Sequence, residues 1–298
     1  MNSFVLKKLR HRYIWKRIFF ERGTEPIHLN LLSLFVGLFG SFRTKIEFDM
    51  IPRQPYAFAL QKCADAALRY GLPGITVVEF GVAAGGGLLN LCYIAQKISQ
   101  KTGVRFRIVG FDSGQGMPAP KDYRDHPDLY RKGDFPMFKE SLKKSLPKNA
   151  ELILGDVSAT VPPFLATLSS DFPLGFVSLD LDYYSSTITA LSILKSDDPS
   201  VYLPLSLVYV DDLEDEHHNT RCGEQLAISE FNEQNSLRVV ERHKFLCSYR
   251  LFQRARWINH MFYAHILDHP LRQHGREDAG QTILENCYLA DSPKYTEG

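Results

Sequence analysis

This chain has few of the devices that staple, anchor or charge a protein. Its five cysteines, Cys63, Cys92, Cys222, Cys247 and Cys287, are odd in number and include no CxxC pair. That excludes the usual zinc and dithiol motifs and reads as reduced thiols in a cytosolic protein. Neither charge is in excess: 35 Lys and Arg stand against 34 Asp and Glu, a net charge of +1. Binding a polyanion normally needs a clear positive surplus, so a small-molecule substrate is expected and a nucleic-acid partner is not. Long hydrophobic runs are missing too. The apolar stretch from Leu29 to Phe42 is interrupted by Asn30, Ser33, Gly37, Gly40 and Ser41; it is too short to cross a bilayer, and no secretory leader is visible. Internal repeats and low-complexity blocks are absent, which excludes solenoids and disordered tracts. The expected location is the cytoplasm.

What is present is an ordinary globular composition, 44% hydrophobic and 23% charged over 298 residues, enough to fill a substantial core. One local imbalance stands out. From Lys7 to Arg22 the chain carries seven Lys and Arg against Glu21 alone, interleaved with Tyr13, Ile14, Trp15, Ile18, Phe19 and Phe20. The run reads either as a solvated lead-in helix or as a peripheral membrane or partner contact, and its aromatics could bury in a homodimer.

From about residue 55 helix-like and strand-like segments alternate. Phe58, Leu60, Cys63, Ala66, Ala67 and Tyr70 have helical spacing, and Gly71 to Gly74 ends that run. Strands are predicted at Ile75 to Phe80, Phe106 to Phe111, Glu151 to Leu154, Leu174 to Leu179 and Leu205 to Val210. Helices fall between them at Leu88 to Gln100, Phe138 to Ser145, Val161 to Leu168 and Ser186 to Leu194, with another at Glu224 to Asn232. A closing strand pair is placed after Arg250. Near-continuous apolar strands separated by helices require a parallel sheet covered on both faces, so the fold class is doubly wound α/β.

In such sheets ligands bind beyond the carboxyl ends of the strands. Each predicted strand ends in an acid: Glu79, Asp112, Asp156, Asp180 with Asp182, and Asp211 with Asp212. A single acid there is most often a helix cap; five in succession at one edge suggest a site. The first turn, Glu79-Phe80-Gly81-Val82-Ala83-Ala84-Gly85-Gly86-Gly87, lets backbone approach a ligand and leaves helix N-terminal amides to meet it. Three residues between Gly81 and Gly85 depart from GxGxxG, which disfavours a dinucleotide dehydrogenase.

Together, Glu79-x-Gly81, Asp112, Asp156 and Asp180-x-Asp182 resemble the motif series of class I S-adenosylmethionine-dependent methyltransferases over roughly residues 45 to 250. More narrowly, Leu179-Asp180-Leu181-Asp182-Tyr183-Tyr184, Tyr209-Val210-Asp211-Asp212 and Arg221-Cys222-Gly223-Glu224-Gln225 are similar to the macrocin O-methyltransferase group, which acts on sugar hydroxyls. The resemblance implies a mostly parallel, seven-stranded Rossmann-like sheet with helices on both faces. It implies S-adenosylmethionine held by Glu79, Phe80, Gly81, Val82, Gly85, Asp112, Ser113, Asp156, Val157 and Asp180, with Asp112 on the ribose and Asp156 beside the adenine. It also implies a divalent cation such as magnesium on Asp180, Asp211 and Asp212, and Asp180 and Asp182 at the catalytic step, Asp182 as either a ligand or a general base. Hard oxygen ligands suit magnesium, and a bound metal orients and acidifies a hydroxyl. The boundaries expected are an N-terminal extension over 1–44, the methyltransferase domain over 45–255 and a C-terminal extension over 256–298.

The sequence departs from that group at Pro204-Leu205-Ser206, where paired glycines are usual before the fifth strand. His217 and His218 read as a base, a ligand or a solvated loop; Gly114 to Asp134 is long enough to be a lid or a packed surface loop. Two other functions fit the same frame: a hydroxylase of the cephalosporin-hydroxylase kind, for which no histidine triad stands at the strand ends, and a non-catalytic cofactor-binding assembly protein.

Overall fold

The computed structural model describes residues 20–213 and 217–273. The basic run Lys7 to Arg22 up to residue 19, the acids Glu214 to Glu216, Cys287 and the tail beyond residue 273 lie outside the described residues.

Helices α1 (Ile27–Phe39), α2 (Phe42–Glu47) and α3 (Gln54–Tyr70) precede the sheet. There follow β1 (Gly74–Phe80), α4 (Gly86–Thr102), β2 (Arg105–Asp112), α5 (Lys139–Ser145), β3 (Ala150–Leu154), α6 (Val157–Leu165), β4 (Leu174–Leu179), α7 (Tyr184–Ala190), β5 (Tyr202–Val210), α8 (Gly223–Gln234), β6 (Arg238–Arg242), β7 (Met261–Ile266) and α9 (Pro270–Gln273). The seven strands form one sheet in the order β3-β2-β1-β4-β5-β7-β6. All pairs from β3 to β5 are parallel, and β7 runs against both β5 and β6. Alternation along β1 shows why both faces are covered. Ile75 and Val77 enter one core cluster with Phe58 and Leu60 of α3 and Leu88 and Leu91 of α4. Val78 and Phe80 enter the other with Phe164 of α6 and Ala227 and Phe231 of α8. The expected doubly wound, mostly parallel seven-stranded sheet is the observed one.

Three local expectations are corrected. The turn placed at Pro204-Leu205-Ser206 lies inside β5, which starts at Tyr202. The β4–β5 register jumps there, from Leu174↔Tyr202 to Phe176↔Leu207, so a bulge accommodates the residue without an N–H. Helix α6 begins at Val157 rather than Val161, because Asp156 caps it through the Ser158 amide. The closing strand pair starts before Arg250, at Arg238; β7 sits between β5 and β6, so the sheet continues past residue 255.

The N-terminal helices are fastened from the other end of the chain. Arg250, 4% exposed, donates to Glu47 Oε2 at 3.0 Å, to Asp49 Oδ1 at 2.9 Å and to the Ile46 and Glu47 carbonyls. Arg22 lies 3.6 Å over the Phe252 ring and donates to the Phe48 carbonyl.

Candidate active site

Strand order reverses between β1 and β4, and the crevice beyond their carboxyl ends is where an open α/β sheet binds its ligand. The backbone ladders run into it: Gly81 N–H donates to Phe111 O, Asp180 N–H to Phe80 O and Asp211 N–H to Leu179 O, at 3.0 to 3.1 Å. Phe80 and Val82 turn their side chains into the core, so only their backbone faces the crevice. Gly81 (φ +82°) and Gly85 (φ +84°) supply the left-handed backbone of the turn, and Gly85 starts α4 with no side-chain cap, leaving its first amides open.

Glu79 is buried beneath this turn. Its Oε1 accepts from the Tyr56 hydroxyl at 2.7 Å, and that hydroxyl lies 2.9 Å from Ser178 Oγ. Its Oε2 is buried with no hydrogen-bond partner among the described residues. Burial pushes the Glu79 carboxyl up to about 7, opposed by the Tyr56 bond and Arg53 and reinforced by Asp211 and Asp112. Asp112 at the end of β2 accepts from the Val82 and Ala83 amides at 2.9 Å on one oxygen and from the Gly114 amide at 2.6 Å on the other. A carboxylate with about four acceptor positions then retains capacity for roughly one more bond. Ser113 Oγ is engaged within its own turn, with Gly116 O and the Gln115 amide. Asp156, exposed, takes the Ser158 amide and hydroxyl, which hold its pKa down.

The densest charge lies beyond β4 and β5. Burial first, then Asp211, Glu79 and Asp182, push the Asp180 carboxyl well above the usual range. Asp182, in a left-handed backbone at φ +58°, is raised chiefly by burial, against contacts from Tyr130 and Asp212. Asp212 is raised by burial and by Glu224, Asp182, Asp180 and Asp211. Its Oδ2 is buried without a donor among the described residues, so Asp182 and Asp212 can bond to each other only by sharing a proton. Asp211 is exposed and accepts from the Tyr209 hydroxyl at 2.8 Å. Glu224, at the start of α8, spans both strand ends: Oε1 accepts from the Leu181 amide at 3.2 Å and Oε2 from the Asp212 amide at 3.1 Å.

The structure thus brings Glu79, Gly81, Asp180, Asp182, Asp211 and Asp212 to one crevice and leaves Asp156 on a cap. Among the described residues no group of three or more His, Cys, Asp or Glu side chains is arranged to hold a metal ion as it stands. The donor chemistry itself fits a hard cation: carboxylates that raise one another, one with a partnerless buried oxygen.

Several contributors carried no local signal. Arg53 is exposed as a residue, yet partial burial of its guanidinium works to lower its pKa and Tyr56, Glu79, Asp180 and Asp211 outweigh that. Tyr56, Ser178 and Glu224 are equally non-local. The long loop after β2 is packed down. Asp125, 1% exposed, accepts from the Ser185 amide and hydroxyl at 2.8 Å and from the Lys121 amide at 2.9 Å. His126 is buried against His218, with ring centroids 4.8 Å apart, while His217 is solvated, 3.8 Å from Asp128. Tyr183 packs inside and Tyr184 donates to Glu230. An open cavity of about 740 Å³ lies elsewhere, between Ile27, Leu29 and Leu251, and no strand-end residue lines it.

No protein-family model matches the chain, and no curated protein is similar enough to count as a relative. Among solved structures it is similar to the O-methyltransferase NovP, at 18% identity over 71% of this chain and 79% of that one, with a TM-score of 0.49. It is similar to CalS11, a calicheamicin methyltransferase, at 22% identity over 68% and 81%, TM-score 0.46. CmcI, solved with Mg and SAM, is 15% identical over 69% and 71%, TM-score 0.36. The chain has a doubly wound, Rossmann-like α/β fold, defined by its own strand order and the reversed strand β7. Among the described residues no helix is long and apolar enough to cross a membrane.

Proposed function

We propose that the chain transfers a methyl group from S-adenosylmethionine to a hydroxyl of a small molecule or sugar-bearing metabolite, assisted by magnesium or a similar divalent cation. One observation carries the reading: carboxylates, Glu79 buried and most of the others partly so, converge on the switch-point crevice beside a glycine turn and destabilise one another, and two buried oxygens, Glu79 Oε2 and Asp212 Oδ2, have no partner among the described residues. Buried ionisable groups left this way call for a cationic ligand.

The cofactor supplies an electrophilic methyl on a sulfonium, and a divalent cation on Asp180, Asp211 and Asp212 would lower the acceptor hydroxyl's pKa. Around them the chain's own groups have distinct tasks. The turn Gly81 to Gly85 admits the donor's methionine end against the open α4 amides. Glu79 Oε2 offers an acceptor to its ammonium, Asp112 keeps one lone pair for the ribose, and Val157 and Asp156 border the adenine. Asp182, whose pKa burial raises so that its ionised carboxylate is the stronger base, takes the proton from the acceptor hydroxyl as general base. Tyr130 and Asp212 hold that carboxyl in place. The rate gain comes mainly from alignment of the two reactants. Residues 1–44 are an appended extension of this catalytic unit.

Titration calorimetry with S-adenosylmethionine, with and without magnesium, tests the reading. Binding at micromolar cofactor, tightened by magnesium in the native protein and not in Asp211→Ala, is the expected result. No binding at millimolar cofactor overturns the function; binding indifferent to magnesium removes the metal from it.

A further inference from the structure

Among the described residues, helix α1 leaves an entire face without a partner. Between Pro26 and Ser41 the chain has no Asp, Glu, Lys or Arg. Ser33 and Val36 are buried, and a Cβ on Gly37 would stand 2.9 Å from Met50 Cε, so that side of the helix is already seated on the protein. The opposite side presents Ile27, Leu31, Leu34, Phe35 and Leu38, each between 62% and 78% exposed, with Phe39 at 72% beside them. At 100° per residue these positions form one stripe along a helix of 13 residues, about 20 Å long. A soluble monomer rarely leaves an apolar patch of more than a few hundred Å² uncovered. Rotation cannot hide the stripe, because Arg22 and Glu25 pin the helix start: Arg22 stacks on Phe252, and Glu25 accepts from the Arg254 amide at 2.6 Å.

Charge identifies what covers this face. The residues leading into the helix, Lys7 to Arg22, carry seven basic side chains against Glu21 alone, a surplus of six. Since the whole chain carries +1, the remaining residues carry a net −5. Positive charge is therefore concentrated immediately before this apolar helix, whose outward face has no partner among the described residues. A second copy packed on the same stripe would bring two such basic runs together. An anionic bilayer neutralises them, because Lys and Arg near such a surface are drawn to its negative headgroups. The helix is far shorter than the roughly 30 Å hydrocarbon core, so it lies in the interface rather than across it.

We propose that α1 is a monotopic membrane-binding helix: its outward stripe inserts into the headgroup–acyl boundary of a bilayer rich in anionic lipid, and the preceding basic run holds it there. The proposal is independent of the methyl-transfer reading. The test is co-sedimentation of the full chain with vesicles of phosphatidylcholine alone and of phosphatidylcholine with phosphatidylserine, three parts to one. The protein is expected to sediment with the anionic vesicles, less so at high salt, and the Leu31→Ser/Phe35→Ser/Leu38→Ser variant to partition at least about tenfold more weakly while its circular dichroism is unchanged. Leu34→Trp, a conservative probe, is expected to shift its emission to the blue when anionic vesicles are added. Failure to sediment, equal sedimentation of the triple variant, or an unshifted emission from the Leu34→Trp variant overturns the proposal. So does a vesicle-free dimer, seen by sedimentation equilibrium, that the triple variant dissociates, since the stripe then belongs to a second copy.

Discussion

Gly81 meets two constraints at once. Its φ of +82° is open to glycine and strained for other residues, and an added Cβ would stand 1.7 Å from the Asp180 carbonyl oxygen. The close approach is what lets the β1 turn and the end of β4 share one crevice. Gly81→Ala therefore cannot be absorbed by a side-chain rotation. It is expected to destabilise the fold by about 3 kcal/mol or more, measured as a lowered urea midpoint, and to abolish cofactor binding. Gly87 has a different reason: a Cβ there would collide with Glu79 Oε1 at 1.8 Å, so the glycine makes room for the buried carboxylate under the helix start.

At the scale of elements, the loop after β2 is held by one side chain. Asp125 satisfies the first amide region of α7 and the Lys121 amide together, and the Met117–Asp134 and Gly133–Met117 backbone bonds close the loop's base. Asp125→Ala removes all three side-chain bonds and leaves the Ser185 amide unanswered, so limited proteolysis is expected to cut within 114–134 in the variant and to spare the native loop. If the cutting rate is unchanged, Asp125 does not hold the loop. Sequence made the strands legible because each is a continuous apolar run with a breaker behind it, as at Gly71 to Gly74. The acids at their ends were legible for the same reason. Arg53 and Tyr56 were not, nor was the bridging role of Glu224, because each meets its partners only after α3 and α8 have docked on the sheet. The β5 boundary was missed because Pro204 reads as a breaker, whereas a bulge keeps it in the strand.

For the molecule as a whole the acid crevice sets a pH dependence. Glu79 moves from an ordinary 4.5 to about 7, so the folded state holds its proton more tightly than the unfolded chain. Its contribution to stability is present in full below about 4.5 and is lost as the pH rises through about 7, on the order of 3 kcal/mol. Asp180, Asp182, Asp212 and Glu224 are raised as well and act in the same direction. Without divalent cations the melting temperature is expected to fall between pH 5 and pH 8. Glu79→Gln, which keeps an acceptor for Tyr56, is expected to flatten part of that fall. Under the proposed metal-assisted reading, magnesium is expected to raise the melting temperature more at pH 8 than at pH 5, because a divalent cation would bind the ionised carboxylates. A melting temperature independent of pH would refute the placement of these charges.

Glu224 gives this crevice a fixed width. One carboxylate accepts from the amide behind Asp182 and from the amide of Asp212, so the two pairs of acids cannot move apart without breaking one bond or the other. For the divalent cation proposed above, a gap set in this way would discriminate by ionic radius. Magnesium, with oxygen contacts of roughly 2.0–2.1 Å, asks for a narrower seat than calcium at roughly 2.3–2.6 Å. The choice between two ions of equal charge would then fall to a residue that need not touch either one.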